Sequence, residues 1–161
     1  MSNVTDAESD PAGIAIVGLN TADGSFYVST DSGANWTALS GTVSTTSAVL
    51  LAANASTRIY FKPTANFNGT VSDVLTIKAW DTTSGSNGST GVDTTSGTAF
   101  SSATDTVAAP VTAINDAPVA SGSATLATVA EDTSDPAGAT VSSLFTSNFS
   151  DATDAVSGGS S

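Results

Sequence analysis

Along most of the chain, short runs alternate between apolar and polar residues and are separated by clusters of Gly, Asn, Asp and Ser. That pattern predicts strands and turns. After a polar, acidic lead-in from Met1 to Asp10, Gly13 to Leu19 reads as a first strand. Asp23-Gly24 marks a hairpin turn, and Ser25 to Thr30 is the second strand. Asn35 to Leu39 alternates and forms a short third, while Ala48 to Ala52 is an apolar run ending at the turn Asn54-Ala55-Ser56. Arg58 to Lys62 is stopped by Pro63. Asn66 to Thr70 forms a turn around a buried Phe67 and leads into Val71 to Trp80. In that strand Val71, Asp73, Leu75, Ile77 and Ala79 share one face, core-facing from Leu75 onward. Thr104 to Ile114 closes the unit, with Val107, Ala109, Val111 and Ala113 on one side. Between the last two strands, Thr82 to Ser102 is rich in Gly, Ser and Thr, which fits either a flexible excursion or a loose hairpin.

About seven short strands with regular turns and no sustained helical period predict an all-β, antiparallel sandwich. Its body spans residues 1–114. The stretch Val111 to Val119 is its exit: residues 115–118 form a polar junction, and 119–161 form an appendage. Ala124 to Ala130 and Thr140 to Phe149 read as two further extended segments around the acidic turn Glu131 to Gly138. Their apolar residues are Leu126, Val129, Val141, Leu144, Phe145 and Phe149. Two strands cannot bury such groups alone, so the segment needs a host sheet.

Composition narrows the chemistry. Charged residues make up 11% of the chain, against a usual quarter, and the net charge is −12. Fifteen acids face only Arg58, Lys62 and Lys78. This balance argues against binding nucleic acid or anionic membranes, both of which demand Lys and Arg. It suits divalent cations or simple solubility. The chain has neither Cys nor His, which removes disulfides, thiolate metal sites and the commonest general base. Nothing resembles a signal peptide or a membrane-spanning helix, so export relies on a removed leader or a leaderless route. Asp6 and Glu8 are a conceivable acid–base pair, but nothing sets them in a pocket. We therefore expect no enzyme.

Asn66-Phe67-Asn68-Gly69-Thr70, Leu75 to Asp81 and Asn115-Asp116-Ala117-Pro118-Val119 together resemble the cadherin-like tandem repeats of large bacterial surface proteins and adhesins. Glu131-Asp132-Thr133 and Asn148 to Asp154 resemble the opening of such a repeat, and Gly13 to Val17 resembles the stretch next after that opening. The resemblance covers nearly the whole chain and implies an immunoglobulin/cadherin-like form of the sandwich. It implies a permuted frame, because family repeats begin after the Asn-Asp-Ala-Pro junction. Here the body comes first and the opening strands last.

The resemblance also implies calcium between neighbouring domains, held by Asn115 and Asp116 with the acids nearest the domain ends: Asp6, Glu8, Asp10 and Asp81. The longer acidic linker and the Asp-Arg-Glu element of true cadherins are missing, and Asn115-Asp116 equally reads as a plain turn before Pro118. Trp36, Trp80 and Tyr60 are either a carbohydrate platform or core anchors. The expected function is structural: an extracellular subunit on a bacterial cell surface, polymerising head to tail with identical copies. Each appendage completes the open sheet of the next. The alternatives are a spacer or ligand-binding repeat excised from a long calcium-dependent adhesin, with a carbohydrate or host receptor as partner, and a monomer closed by its own tail.

Overall fold

The computed structural model describes residues 12–151. Seven strands build the body: β1 (Gly13–Leu19), β2 (Gly24–Ser29), β3 (Thr37–Leu39), β4 (Val49–Ala52), β5 (Arg58–Pro63), β6 (Gly69–Trp80) and β7 (Asp105–Val111). They form a four-stranded sheet in the order β4-β1-β6-β7 and a three-stranded sheet in the order β3-β2-β5. Every pairing is antiparallel. The chain is an all-β antiparallel sandwich, and its first seven strands fall where the alternation puts them.

The main core lies between the sheets. Ile16, Val49, Leu51, Val74 and Leu75 from one sheet meet Phe26, Val28 and Leu39 from the other. Val74 and Leu75 are both buried although adjacent in sequence. The ladder between β6 and β7 slips between Val71 and Leu75, placing three residues of β6 opposite Ala108 alone. Such an irregularity re-aims side chains, so Val74 enters the core that strict alternation denies it. Two glycines sit beneath aromatic rings. A Cβ on Gly13 would lie 2.6 Å from the Trp80 ring and 2.7 Å from the Leu51 carbonyl, and Phe61 covers Gly24 in the same way.

A second core lies on the outer face of the four-stranded sheet. Ala15, Val17, Ala48, Leu50 and Trp80 pack there with Ala99, Val92 and Phe100. Buried on both faces, β1 and β4 read as unbroken apolar runs, as doubly covered strands do. The cover is the Gly/Ser/Thr-rich excursion, which is ordered. Ala48 and Val92 exchange backbone hydrogen bonds, while Leu50 N–H donates to the Ser89 carbonyl and Gly88 N–H to that of Leu50. Trp80 Nε1 donates to the Ser84 carbonyl at 2.7 Å. The excursion therefore also seals the free edge of β4.

Beyond β7 the picture changes. β8 (Val119–Ala120) pairs only briefly with β9 (Phe149–Ser150). Residues 124–130 belong to no strand. The expected strand over Thr140 to Phe149 is instead a single turn of helix, α1 (Val141–Phe145), followed by β9. Thr140 caps it by accepting the Ser143 N–H. An isolated five-residue helix carries little stability of its own.

Antiparallel pairing of β6 with both β1 and β7 makes those two strands parallel to each other. The body is thus entered at the pole of Gly13 and Trp80 and left at the pole of Gly69 and Val111.

Candidate functional site

An edge strand exposes unpaired backbone groups and invites pairing unless it is short or covered. The body handles its four edges unequally. β4 is sealed by the excursion and β3 has three residues. β5 and β7, of six and seven residues, end their sheets. Burial falls off toward the same two strands. Ile59 pairs with the buried Val28 and shares its core-facing side, yet it is 39% exposed. Val107, opposite the buried Leu75, is 38% exposed. Phe61, Val71 and Ala109 are only partly buried against the core. The core is thinly covered along the rims of β5 and β7.

The appendage carries the complementary defect. Leu126 is 63% exposed and Val141 74%, and Val119, Val129, Phe145 and Phe149 are exposed as well. Leu144 alone of the six expected core-filling residues is half-buried. Thinly covered rims and exposed apolar segments thus occur within one molecule.

The outer face of β5 is aromatic and basic. Tyr60 stacks on Tyr27 at 5.0 Å and meets Trp36 edge-on at 4.7 Å. Trp80 lies in the second core, 2% exposed, so the three aromatics do not form one platform. Phe67, expected to be buried, is half-buried, and its neighbour Asn68 is the buried residue of that turn. Arg58 and Lys62 flank Tyr60 on this face and are exposed, whereas Lys78 donates to the Thr94 carbonyl at 3.0 Å. The exposed cations of the whole chain therefore lie on the open edge strand.

Of the suggested metal ligands, the described ones lie at opposite poles. Asp6, Glu8 and Asp10 lie outside the described residues. Asp81 follows β6 at the entry pole and accepts the Thr83 N–H and hydroxyl. Asn115 and Asp116 follow β7 at the exit pole, where Asn115 Nδ2 donates to the Asp116 carbonyl. The twelve residues of β6 separate the poles, about 36 Å at ~3.3 Å per residue. Among the described residues no group of three or more carboxylates gathers. Calcium needs six to eight oxygens, so Asp81, Asn115 and Asp116 alone do not assemble a site within one chain.

A cavity of about 360 Å³ beside β2 and β3 is lined by Ser29, Asp31, Asn35, Thr42 and Gly91, among others. Alternation alone does not reveal it, because the excursion supplies one wall. Its carboxylate is already engaged: Asp31 accepts the Asn35 N–H at 2.9 Å, Asn35 Nδ2 at 2.6 Å and the Ser29 hydroxyl at 2.7 Å. The Asn35 backbone bond leads in drawing the carboxyl down to about 2, from 3.8. A lowered native pKa contributes stability that is complete above the unfolded value and fades as pH falls through the native one. Asp31→Ala is therefore expected to reduce thermal stability at pH 7, with the gap from the parent protein closing between about pH 4 and pH 2. Melting curves across that window check it, and a gap that persists at pH 2 refutes the ionic origin.

No protein-family model, curated protein or solved structure matches this chain.

Proposed function

We propose that the protein is a non-catalytic, extracellular structural subunit of a bacterial surface fibre, assembled head to tail by strand donation. One observation carries the reading: two open sheet edges with thinly covered core-facing residues and an appendage of exposed apolar residues occur in the same molecule and do not cover each other. Insertion of the appendage into the next copy buries both. Main-chain pairing supplies affinity, and alternate side chains supply fit. Because the donor leaves one pole and the acceptor lies on the body, the contact is heterologous and generates an open filament when its rotation does not close a ring. The cadherin-like character suggested by Asn66 to Thr70 and by the Asn115-Asp116-Ala117-Pro118 junction belongs to the same reading.

Calcium enters only between copies. Head-to-tail stacking brings the exit pole of one subunit, with Asn115 and Asp116, toward the entry pole of the next, with Asp81. Entry and exit at opposite poles equally suit a repeat within a long adhesin, where the neighbouring copy is covalently attached and the interface is the same.

Negative-stain microscopy of the purified protein, with calcium and with chelator, tests the proposal. Filaments are expected with calcium, and shorter or fewer ones in chelator. Compact single particles at high concentration in both conditions reject polymerisation.

A further inference from the structure

We infer that the open edge of β5 is the seat of the donated chain, and that the segment Thr140 to Phe149 of a second copy pairs with it in antiparallel sense. This inference rests on the strand-donation reading and specifies its interface.

Direction comes first. β5 pairs antiparallel with β2 and runs from the entry pole at Arg58 to the exit pole at Pro63. A donor arriving from the preceding copy enters at the entry pole, so its first segment, residues 124–130, runs parallel to β5. After the turn at 131–138 the chain heads back, and Thr140 to Phe149 runs antiparallel to β5. Antiparallel pairing is somewhat the more stable of the two per residue.

Side chains agree with this assignment. In an extended conformation Val141, Phe145 and Phe149 fall on one face, separated by serines, because a strand repeats every two residues. With Phe145 opposite the partly exposed Ile59, Ser143 lies opposite Phe61 and Val141 just beyond it, the register that sets Ser142 opposite Lys62. The single helical turn that holds Val141 to Phe145 in the free chain is solvent-exposed and leaves Val141 bare, so it offers little resistance to conversion.

Charge points the same way. No cation follows Lys78 in the sequence, and acids bracket the returning segment: Asp132 and Asp135 before it, Asp151 after it. Antiparallel docking sets Lys62, at the exit pole, beside the turn carrying Asp132 and Asp135. It sets Arg58, at the entry pole, opposite Thr146, at the end of the segment that runs on to Asp151. Parallel docking of residues 124–130 gives Lys62 acidic neighbours but leaves Arg58 with none. Lysine on an edge strand also discourages unwanted pairing, and here it favours an acidic partner over a neutral one.

The chain lacks cysteine, so introduced thiols report the interface directly. Lys62→Cys protein is mixed under oxidising conditions with Ser142→Cys protein, and separately with Thr146→Cys protein. All three positions are exposed, and far-UV circular dichroism confirms that each variant folds. A disulfide needs Cα atoms within about 7 Å. Antiparallel pairing is expected to link Lys62→Cys to Ser142→Cys at least ~10-fold more than to Thr146→Cys, since four residues of strand separate the two by about 13 Å.

The opposite preference overturns the antiparallel register, and filaments in which neither pair links overturn the β5 assignment; strand donation stands in both cases. Val107→Cys mixed with Ser142→Cys serves as the β7 control, and linkage there without linkage at Lys62→Cys also overturns it. Parent protein that forms no filaments removes donation itself. A doubly substituted K62C/S142C chain that closes as a linked monomer at any dilution overturns the role of the second copy.

Discussion

Truncation after Pro118 is expected to abolish assembly, leaving a monomer whose β5 and β7 rims stay open. Under strand donation the lost segment carries all of the exposed apolar residues from Val119 to Phe149 that need a host. The body keeps both of its cores, which draw only on residues up to Phe100 apart from the rim residue Ala109. It should therefore still melt cooperatively. A synthetic peptide covering 119–151 is then expected to bind the truncated body and raise its melting temperature, because a ligand selective for the native state stabilises by mass action. At a hundredfold excess over Kd the gain is about 2.7 kcal/mol. Filaments from the truncated chain, or a peptide without effect at any concentration, count against donation. The two readouts differ usefully, since the first tests necessity and the second tests complementarity.

Trp80→Ala is expected to give the largest loss of stability from any single substitution, about 3–5 kcal/mol, as for other large buried aromatics. The indole closes the second core, roofs Gly13 and anchors the excursion through its bond to the Ser84 carbonyl. Its removal leaves a cavity against Leu50 and Ala15 and loosens the backbone bonds that seal β4. A fall in the urea midpoint should thus accompany faster amide exchange at Gly88 and Val92, ahead of the main core. Equal acceleration at Ile16 and Phe26 would mean that the two cores are one cooperative unit. A loss below about 1 kcal/mol would contradict the packing described.

Much of the sandwich was legible because Phe26 to Val28 and Arg58 to Lys62 carry their period openly, Ile14 to Leu19 is a continuous apolar run, and turn residues bound all three. The excursion was not legible. Its Gly, Ser and Thr have no period, and its order derives from surfaces supplied elsewhere, chiefly Trp80 and the edge of β4. Val74 escaped for a related reason, since a slipped ladder changes which parity faces inward. The segment 140–149 shows the limit most plainly. Val141, Leu144 and Phe145 satisfy a helical turn, whereas Val141, Phe145 and Phe149 satisfy a strand, so spacing alone does not choose. Of the candidate site, the donor residues could be picked out from their apolarity without partners. The acceptor needed the sheet order, because only that order reveals that β5 and β7 are rims. The separation of Asp81 from Asn115 and Asp116 likewise follows from the length and direction of β6.

The parallel course of β1 and β7 has a mechanical consequence. Tension applied across the body pulls Gly13 and Val111 apart along the strand axes, with β6 held between them. The hydrogen bonds of both ladders are then strained together, sideways, rather than opened one after another from an end. A body threaded in this way resists stretching through its whole sheet at once, and in a string of such bodies the joints would yield before the beads.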